Sequence, residues 1–463
     1  MLLIVLVGIA LRAYLLGRPV GQEEAFAFVE FAVRPFGELI SDFAHPSNHI
    51  LHTLLTKWST DLFGVGLISL RLPAFIAGVL VMPLFYLFVR GMFNRYIALL
   101  TLALIAGSGP LIEYSAIARG YSMTWLCLVL ALVLGRHMIK TNSAFSATLI
   151  GVVLALGMWT MPSMIYPALM VLFWLFISLT IKYGDTLRQR LVMLLLSLCV
   201  FIFLTALLYM PVVRAHGIDQ IIHHPTVPYL GWWKFKREHW DMAFELWAYL
   251  VDGAATWVAI LGLLGFVQAA FVSSKYRALG FALALGAIPL VVILRQVVPP
   301  EQWLYTLFFF HLGMGISLFY LLKFIQEKVF PGLGKRVRTM VAALVLLALF
   351  AFLGMPAIQD RNEGVPQAKR AVTFAKAQLE PGDKLYSMFP LDGPIEFYLR
   401  AGGMDTGFLS GSPSPSGKVL VIVSPENEQT PDDVLQHFGQ DTAQWPELEM
   451  VQEWPGMRIF AAP

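Results

Sequence analysis

Two adjacent carboxylates, Glu23 and Glu24, stand just beyond the first hydrophobic run of this chain, in Arg18-Pro19-Val20-Gly21-Gln22-Glu23-Glu24-Ala25. A carboxylate within hydrogen-bond reach of a hydroxyl can take its proton and make it a nucleophile. Two more polar clusters follow at the ends of apolar runs, His45-Pro46-Ser47-Asn48-His49 and Tyr114-Ser115-Ala116-Ile117-Ala118-Arg119-Gly120-Tyr121. Arg71, Arg119 and Arg214 lie at the same kind of position, where a guanidinium fork matches phosphate oxygens. Acids and phosphate-binding cations together suit a hydroxyl attacking the anomeric carbon of a sugar that leaves a phosphate. Snorkelling to the lipid surface is the alternative use of each arginine.

His45, His49 and His52 fall at i, i+4 and i+7, so on a helix they would share a face. With Glu24 nearby, His45 and His49 would offer donors to a divalent metal, although Pro46 interrupts the helix and the spacing matches no closed zinc motif. The other reading is histidines that bond loop backbone, acceptor or phosphate. Tyr114 and Tyr121 flank Arg119 and would stack on a sugar or bond phosphate, or else belong to an interfacial aromatic belt. His311 lies inside a hydrophobic run, where a polar side chain is costly, and Glu301 just outside that run completes a candidate cavity wall. Asn48 joins His45 and His49 on the acceptor side.

These residues sit in a chain that is 57% hydrophobic and 14% charged, with a mean hydropathy of +0.68. Such a composition fits a polytopic helical membrane protein and no soluble class. The net charge of +3 gives no sign of nucleic acid, and the acidic partners it suggests are lipid phosphates. Cys127 and Cys199 both lie in apolar runs and form no disulfide framework or Cys-x-x-Cys site. About eleven spans are expected, near 1–16, 67–89, 96–112, 120–138, 144–160, 162–181, 191–212, 254–273, 278–295, 303–322 and 339–355. The first lacks a cleavage site and reads as retained.

One set of loops (90–95, 136–140, 182–190, 274–277 and 323–338) holds 14 Lys and Arg in 40 positions, and the alternate set holds 9 in 108. The dense set is cytoplasmic by the positive-inside rule. The N-terminus is then cytoplasmic in an inner membrane, and both carboxylates, the histidines of 45–52 and Arg119 face outward. Nucleotide sugars are cytoplasmic, so the expected donor is a lipid-linked phosphate. Loop 17–66 is amphipathic over 25–62 and loop 213–252 is Trp-rich, and both read as interfacial helices, the second lining an acceptor groove. Residues 1–355 thus form a transmembrane catalytic domain. Residues 356–463 lose the membrane composition and read as a small extracytoplasmic α/β domain: helices near 366–379, 393–400 and 430–438, and strands near 384–388, 418–423 and the end. Ser410–Gly417 reads as a flexible loop.

Arg12-Ala-Tyr-Leu-Leu-Gly, Glu23-Glu24-Ala25, Asn48-His49-Ile50-Leu51-His52-Thr53-Leu54-Leu55, Phe63-Gly64, Arg71-Leu72-Pro73-Ala74 with Gly78 and Tyr86, Tyr114-Ser115 and Ala118-Arg119-Gly120-Tyr121 together carry a resemblance. In this order they resemble the glycosyltransferase family 39 branch of the C-type membrane glycosyltransferases, relatives of protein O-mannosyltransferases and aminoarabinose transferases. The resemblance covers about the first 140 residues; beyond residue 190 it is one of hydropathy and loop placement. It implies transfer of a sugar, with inversion, from a polyprenyl-phosphate donor of undecaprenyl type to an extracytoplasmic protein, glycan or glycolipid. The family's first outer loop usually reads Asp-Glu, and the position of the acid serving the acceptor is Glu23 here, so the base is Glu23 or Glu24. The Lys-Pro-Pro of the aminoarabinose branch is replaced by His45-Pro46-Ser47, which argues against lipid A modification.

A lipid or sugar transporter would also use many spans and a polar cavity, but transporters show repeated halves and midplane sites. No internal repeat is visible, and the spans are poor in Asp and Glu. A catalytically inactive scaffold would keep the same residues outside, and activity of the Glu23 and Glu24 variants discriminates the two.

Overall fold

The structure, a computed structural model, describes residues 1–182, 186–222, 224, 227–251, 256–272, 274–328, 334–360, 364–414, 417–440, 445 and 448–462. In lipid, backbone polar groups find partners only in one another, so long apolar runs fold as helices. Among the described residues seven helices are long and apolar enough to cross a membrane, and four shorter apolar helices accompany them. The expected spans fall on these helices, so the protein is a multi-pass membrane protein. One span departs from expectation. Residues 278–295 form two helices, Ser274–Leu285 and Ile288–Leu294, parted at Gly286 and Ala287. A Cβ on Gly286 would lie 2.8 Å from the Met170 backbone, so the missing side chain lets the break approach helix Ile165–Lys182.

Two compact units divide the chain. The first comprises residues 1–16, 36–54 and 71–361. With no hydrophobic drive between helices in lipid, close packing at small residues holds them together. Helices Thr256–Val272 and Thr306–Lys328 meet where a Cβ on Gly265 would fall 1.8 Å from the Gly313 carbonyl oxygen, so neither glycine tolerates a side chain. Helix Arg95–Gly107 begins with the Asn94 side chain accepting from the Tyr96 and Ile97 amides. It ends at Ser108, whose extended backbone precedes a short helix, Gly109–Glu113.

That break exposes carbonyls that a continuous helix would have used. Arg12, in the first apolar helix Leu2–Leu15, is 1% exposed and meets them. Its Nη1 donates to Ala106 O at 3.3 Å and Gly8 O at 3.1 Å, and its Nη2 to Ile105 O at 3.4 Å and Leu111 O at 3.5 Å. A cation at a helix C-terminus also complements the helix dipole. The arginine therefore ties the first helix to the segment leading into residues 114–121.

Helix Trp232–Val251 in the loop of 213–252 is amphipathic, with Trp233, Trp240 and Phe244 exposed. The aromatic residues and lysines of this helix suit an interfacial position.

The second unit comprises residues 17–35, 55–70 and 362–463. It contains a four-stranded sheet in the order β1-β2-β4-β3, made of β1 (Lys384–Ser387), β2 (Val419–Val423), β3 (Glu449–Trp454) and β4 (Met457–Ala462). β1 and β2 are parallel, and β4 lies antiparallel to both β2 and β3. Helices Pro366–Gln378, Asp392–Ala401 and Pro431–His437 accompany it, close to the expected ranges. Tyr386, Val419, Val421, Val423, Val434 and Leu435 form a buried core. The expected single terminal strand is instead a hairpin. It turns at Pro455-Gly456, with Gly456 at φ +76°, a position suited to glycine. Within the expected loop Ser410–Gly417, residues 415 and 416 lie outside the described residues.

Candidate functional site

The carboxylates belong to the second unit. Residues Gln22–Ala27 form a short helix in which the N3 carboxylate reaches back to the N-cap, one half of a capping box: Glu24 Oε1 accepts from the Gly21 amide at 3.1 Å. Glu24 is 4% exposed, whereas Glu23 lies on the exposed side of the turn. The loop carrying them is fixed at several points. Gly21 pairs with Gly364 in an antiparallel bridge, and the Val365 amide donates to Val20 O at 3.0 Å. The Val20 amide donates to the Tyr398 hydroxyl at 3.2 Å, and Gln22 Nε2 to Asp392 Oδ1 at 3.1 Å.

The other candidates belong to the first unit, and several come together there. Asn48 Nδ2 donates to Leu39 O at 3.0 Å and Asp42 O at 2.6 Å, tying a turn that leads into helix Ile50–Phe63. His49 immediately precedes that helix and is 3% exposed. Its Nδ1 accepts from the Gly120 amide at 2.8 Å, so a neutral ring carries its proton on Nε2. Gly120 must lack a side chain, since a Cβ would lie 2.7 Å from Thr160 Cγ2 and 3.0 Å from His49 Cβ.

Next to Gly120, the Arg119 guanidinium lies 5.6 Å from the centroid of Tyr121. Tyr121 in turn meets His49 edge-on at 5.7 Å and Tyr114 at 5.0 Å. Burial, reinforced by the positive charge of Arg119, holds His49 well below its ordinary value, and the same causes push His52 down to about 3. Both rings are neutral beside a cation.

Tyr114 continues the cluster. Its hydroxyl lies 3.2 Å from that of Tyr249, which donates to Glu301 Oε1 at 3.3 Å. Burial, with the Glu301 carboxylate and Tyr249 in support, pushes the Tyr114 phenol far above its ordinary range, so it stays protonated. Tyr249, in helix Trp232–Val251, was not among the sequence candidates; aromatic residues in a Trp-rich amphipathic loop read first as membrane anchors.

Other candidates are placed differently. Arg71 is 2% exposed and its Nη1 donates to Leu16 O at 2.9 Å, at the end of the first helix. Arg214 is exposed on the last turn of helix Leu187–His216, with no hydrogen bond or ring contact to the cluster among the described residues. His311 is a core histidine: its Nδ1 donates to Leu307 O at 2.6 Å, and its ring packs edge-on against Phe350 at 5.9 Å. His45 is off the helix, exposed, with Nδ1 accepting from the Ser47 amide at 3.2 Å, so the expected three-histidine face does not form. Among the described residues no group of three His, Cys, Asp or Glu side chains is placed to hold a metal ion. The expected set of Glu24, His45 and His49 is thus corrected: Glu24 caps a helix and each histidine accepts from an amide.

Residues 44–209, which carry His49, Arg71, Tyr114, Arg119 and Tyr121, match the family of dolichyl-phosphate-mannose-protein mannosyltransferases. ArnT from Cupriavidus metallidurans, in a crystal structure bound to undecaprenyl phosphate, superposes with a TM-score of 0.64 at 14% identity, covering 99% of this chain and 97% of that one. The fold is that of the C-type membrane glycosyltransferases. The apo form of the same ArnT gives a TM-score of 0.62. The C-type fold extends to the oligosaccharyltransferase of Archaeoglobus fulgidus, with a TM-score of 0.51 at 12% identity over 86% of this chain and 64% of that one. No curated protein matches the sequence significantly.

Proposed function

We propose that the protein transfers a sugar from a polyprenyl-phosphate donor to a hydroxyl-bearing acceptor on the outer side of the inner membrane, with inversion. The observation that carries the reading is the group of buried Arg119, Tyr121 and neutral His49 with half-buried Tyr114, inside the segment that matches the mannosyltransferase family. Arg119 supplies positive charge to the donor phosphate; Arg71, which also donates to Leu16 O, and the exposed Arg214 are further candidate cations. The Tyr121 hydroxyl and the His49 Nε2 offer neutral donors to phosphate or sugar oxygens, while the Tyr114 hydroxyl donates to Tyr249.

Glu23 acts as the base, while Glu24 holds the turn that presents it. The carboxylate takes the acceptor hydroxyl proton, the oxygen attacks the anomeric carbon, and the bond to the phosphate oxygen breaks with its electron pair staying on the phosphate. The products are a glycoside and the polyprenyl phosphate. A single displacement from the face opposite the leaving group inverts the centre. The phosphate leaves as a dianion near neutral pH, so nearby cations suffice and no general acid is required. The acceptor is a protein, glycan or glycolipid. The distribution of Lys and Arg supports a cytoplasmic N-terminus and an extracytoplasmic residue 364–462 segment.

The test is transfer of label from radiolabelled undecaprenyl-phosphate sugars, supplied to membranes containing the protein, into delipidated material. Glu23→Gln is expected to lower transfer by at least about 100-fold, as loss of a general base does, with Glu23→Asp restoring part of it. Full transfer in both Glu23→Gln and Glu24→Gln at normal protein levels contradicts the reading.

A further inference from the structure

We infer that the C-terminal α/β domain is a positioning platform for the carboxylate loop, with Tyr398 and the Asp392–Gly393 turn as its positioning residues. The inference rests on the proposed transferase reading only for the role of Glu23; the docking itself rests on contacts within one compact unit.

A solvated loop samples many conformations, and fixing it costs conformational entropy at every residue. Here the loop of residues 17–35 is not left to do so. The bridge between Gly21 and Gly364 and the Val365 amide on Val20 O hold the two residues that lead into helix Gln22–Ala27. Helix Asp392–Ala401 supplies the remaining anchors: the Tyr398 hydroxyl for the Val20 amide, Asp392 for Gln22, and Phe397, whose ring meets Phe28 edge-on at 5.7 Å. These anchors fall immediately before and after Glu23 and Glu24.

Gly393 shows how closely the helix is applied. A Cβ there would lie 3.1 Å from Gln22 Oε1 and 3.2 Å from the Phe26 amide nitrogen. A Cβ alone asks the Phe26 backbone to give by a few tenths of an ångström, and a leucine at 393 asks for more, at the carboxylate turn. The fit combines backbone groups, three side-chain anchors and a missing side chain, which sets orientation and not merely proximity. General-base catalysis depends on such orientation, because a misplacement of about 1 Å costs on the order of 100-fold in rate.

The experiment uses the full chain in lipid nanodiscs with three readouts: amide hydrogen exchange of residues 20–26 and 365, binding of undecaprenyl phosphate by native mass spectrometry, and turnover of undecaprenyl-phosphate sugars. In Gly393→Leu the exchange of the Val20 and Val365 amides is expected to rise at least about tenfold, with lipid binding unchanged. Turnover is expected to fall at least about tenfold in kcat with little change in KM. Introducing Gly21→Cys and Gly364→Cys into that variant and oxidising the pair, which a bridge places within disulfide reach, should restore both protection and kcat.

Tyr398→Phe, which keeps the ring and removes only the hydroxyl, should move the same readouts in the same direction by a smaller factor. Unprotected wild-type amides, or full kcat in a Gly393→Leu chain whose loop exchanges freely, overturn the inference. A wild type with protected amides that uses no donor lipid at all contradicts the transferase reading and with it the catalytic purpose of the platform, while the docking stands.

Discussion

At the scale of single residues, His49 and His52 illustrate how burial and one cation settle a protonation state. Burial and the neighbouring Arg119 charge keep both rings neutral in the fold, whereas an unfolded histidine gains its proton as pH drops below about 6.5. The unfolded chain therefore binds more protons between that pH and about 3, the folded value of His52, and stability is lost as pH falls through this window. At pH 5 His52 alone is expected to cost about 2 kcal/mol relative to pH 7.5. Thermal unfolding in nanodiscs checks this: the wild-type melting temperature should drop between pH 7.5 and 5, and His52→Gln should flatten the drop. An equal drop in that variant would contradict the argument. A second residue-scale expectation concerns Tyr249. Tyr249→Phe removes the hydroxyl that links Tyr114 to Glu301 and should cost about 1–3 kcal/mol of stability, with Tyr305→Phe as a comparison outside the linkage.

The sequence made some of these roles legible and hid others. The sequence flanks Arg119 with Tyr114 and Tyr121, and the structure brings these side chains together. Arg71 and Asn48 looked like ligands, yet both donate to backbone carbonyls at element ends. Sequence spacing does not reveal which carbonyls lack partners, since that depends on where neighbouring helices stop. His311 is a similar case: a polar residue in an apolar run bonded the carbonyl one turn back.

At the scale of elements, hydrophobic run length located the helices well, because lipid leaves a spanning backbone little choice. It could not show that 278–295 is broken, because the break depends on the approach of Met170 to Gly286. The terminal hairpin had a readable signal in Trp454-Pro455-Gly456-Met457, with proline and glycine in the order a tight turn favours. It was obscured because β3 is largely exposed and does not alternate.

Arg12 is the element-scale residue with the sharpest consequence. It donates to carbonyls of three segments and links the first helix to the break at Ser108. Arg12→Met removes all four of these hydrogen bonds and should destabilise by roughly 2–4 kcal/mol, since several hydrogen bonds from a charged donor are lost at once. Arg12→Lys, with one compact ammonium in place of the fork, should recover only part of this. Denaturation in mixed micelles checks the order wild type, Lys, Met; equal stability of all three would contradict the capping role.

At the scale of the whole molecule, composition and charge bias gave the membrane class and an orientation, because both are sums over many residues. What they could not give is the joining of residues 17–35 and 55–70 to residues 362–463 in one compact unit. That association links positions about 300 apart or more and, at the carboxylate loop, is carried by a few backbone and side-chain contacts with no composition signature. The orientation has a direct test in a chain freed of its own thiols by Cys127→Ala and Cys199→Ala. A cysteine placed by Gly403→Cys should react with a membrane-impermeant maleimide added to spheroplasts, and one placed by Lys140→Cys only after lysis; the reverse pattern would invert the topology.

The central claim is a donor phosphate held at Arg119, and native mass spectrometry of the detergent-purified protein tests it most directly. Wild type is expected to carry, or to take up on addition, a polyprenyl phosphate or its glycosylated form, with the adduct mass giving the sugar. The chain carrying both Arg71→Ala and Arg119→Ala should lose it while remaining folded. A wild type that binds no such lipid, or a folded double variant that binds it equally well, would contradict the account.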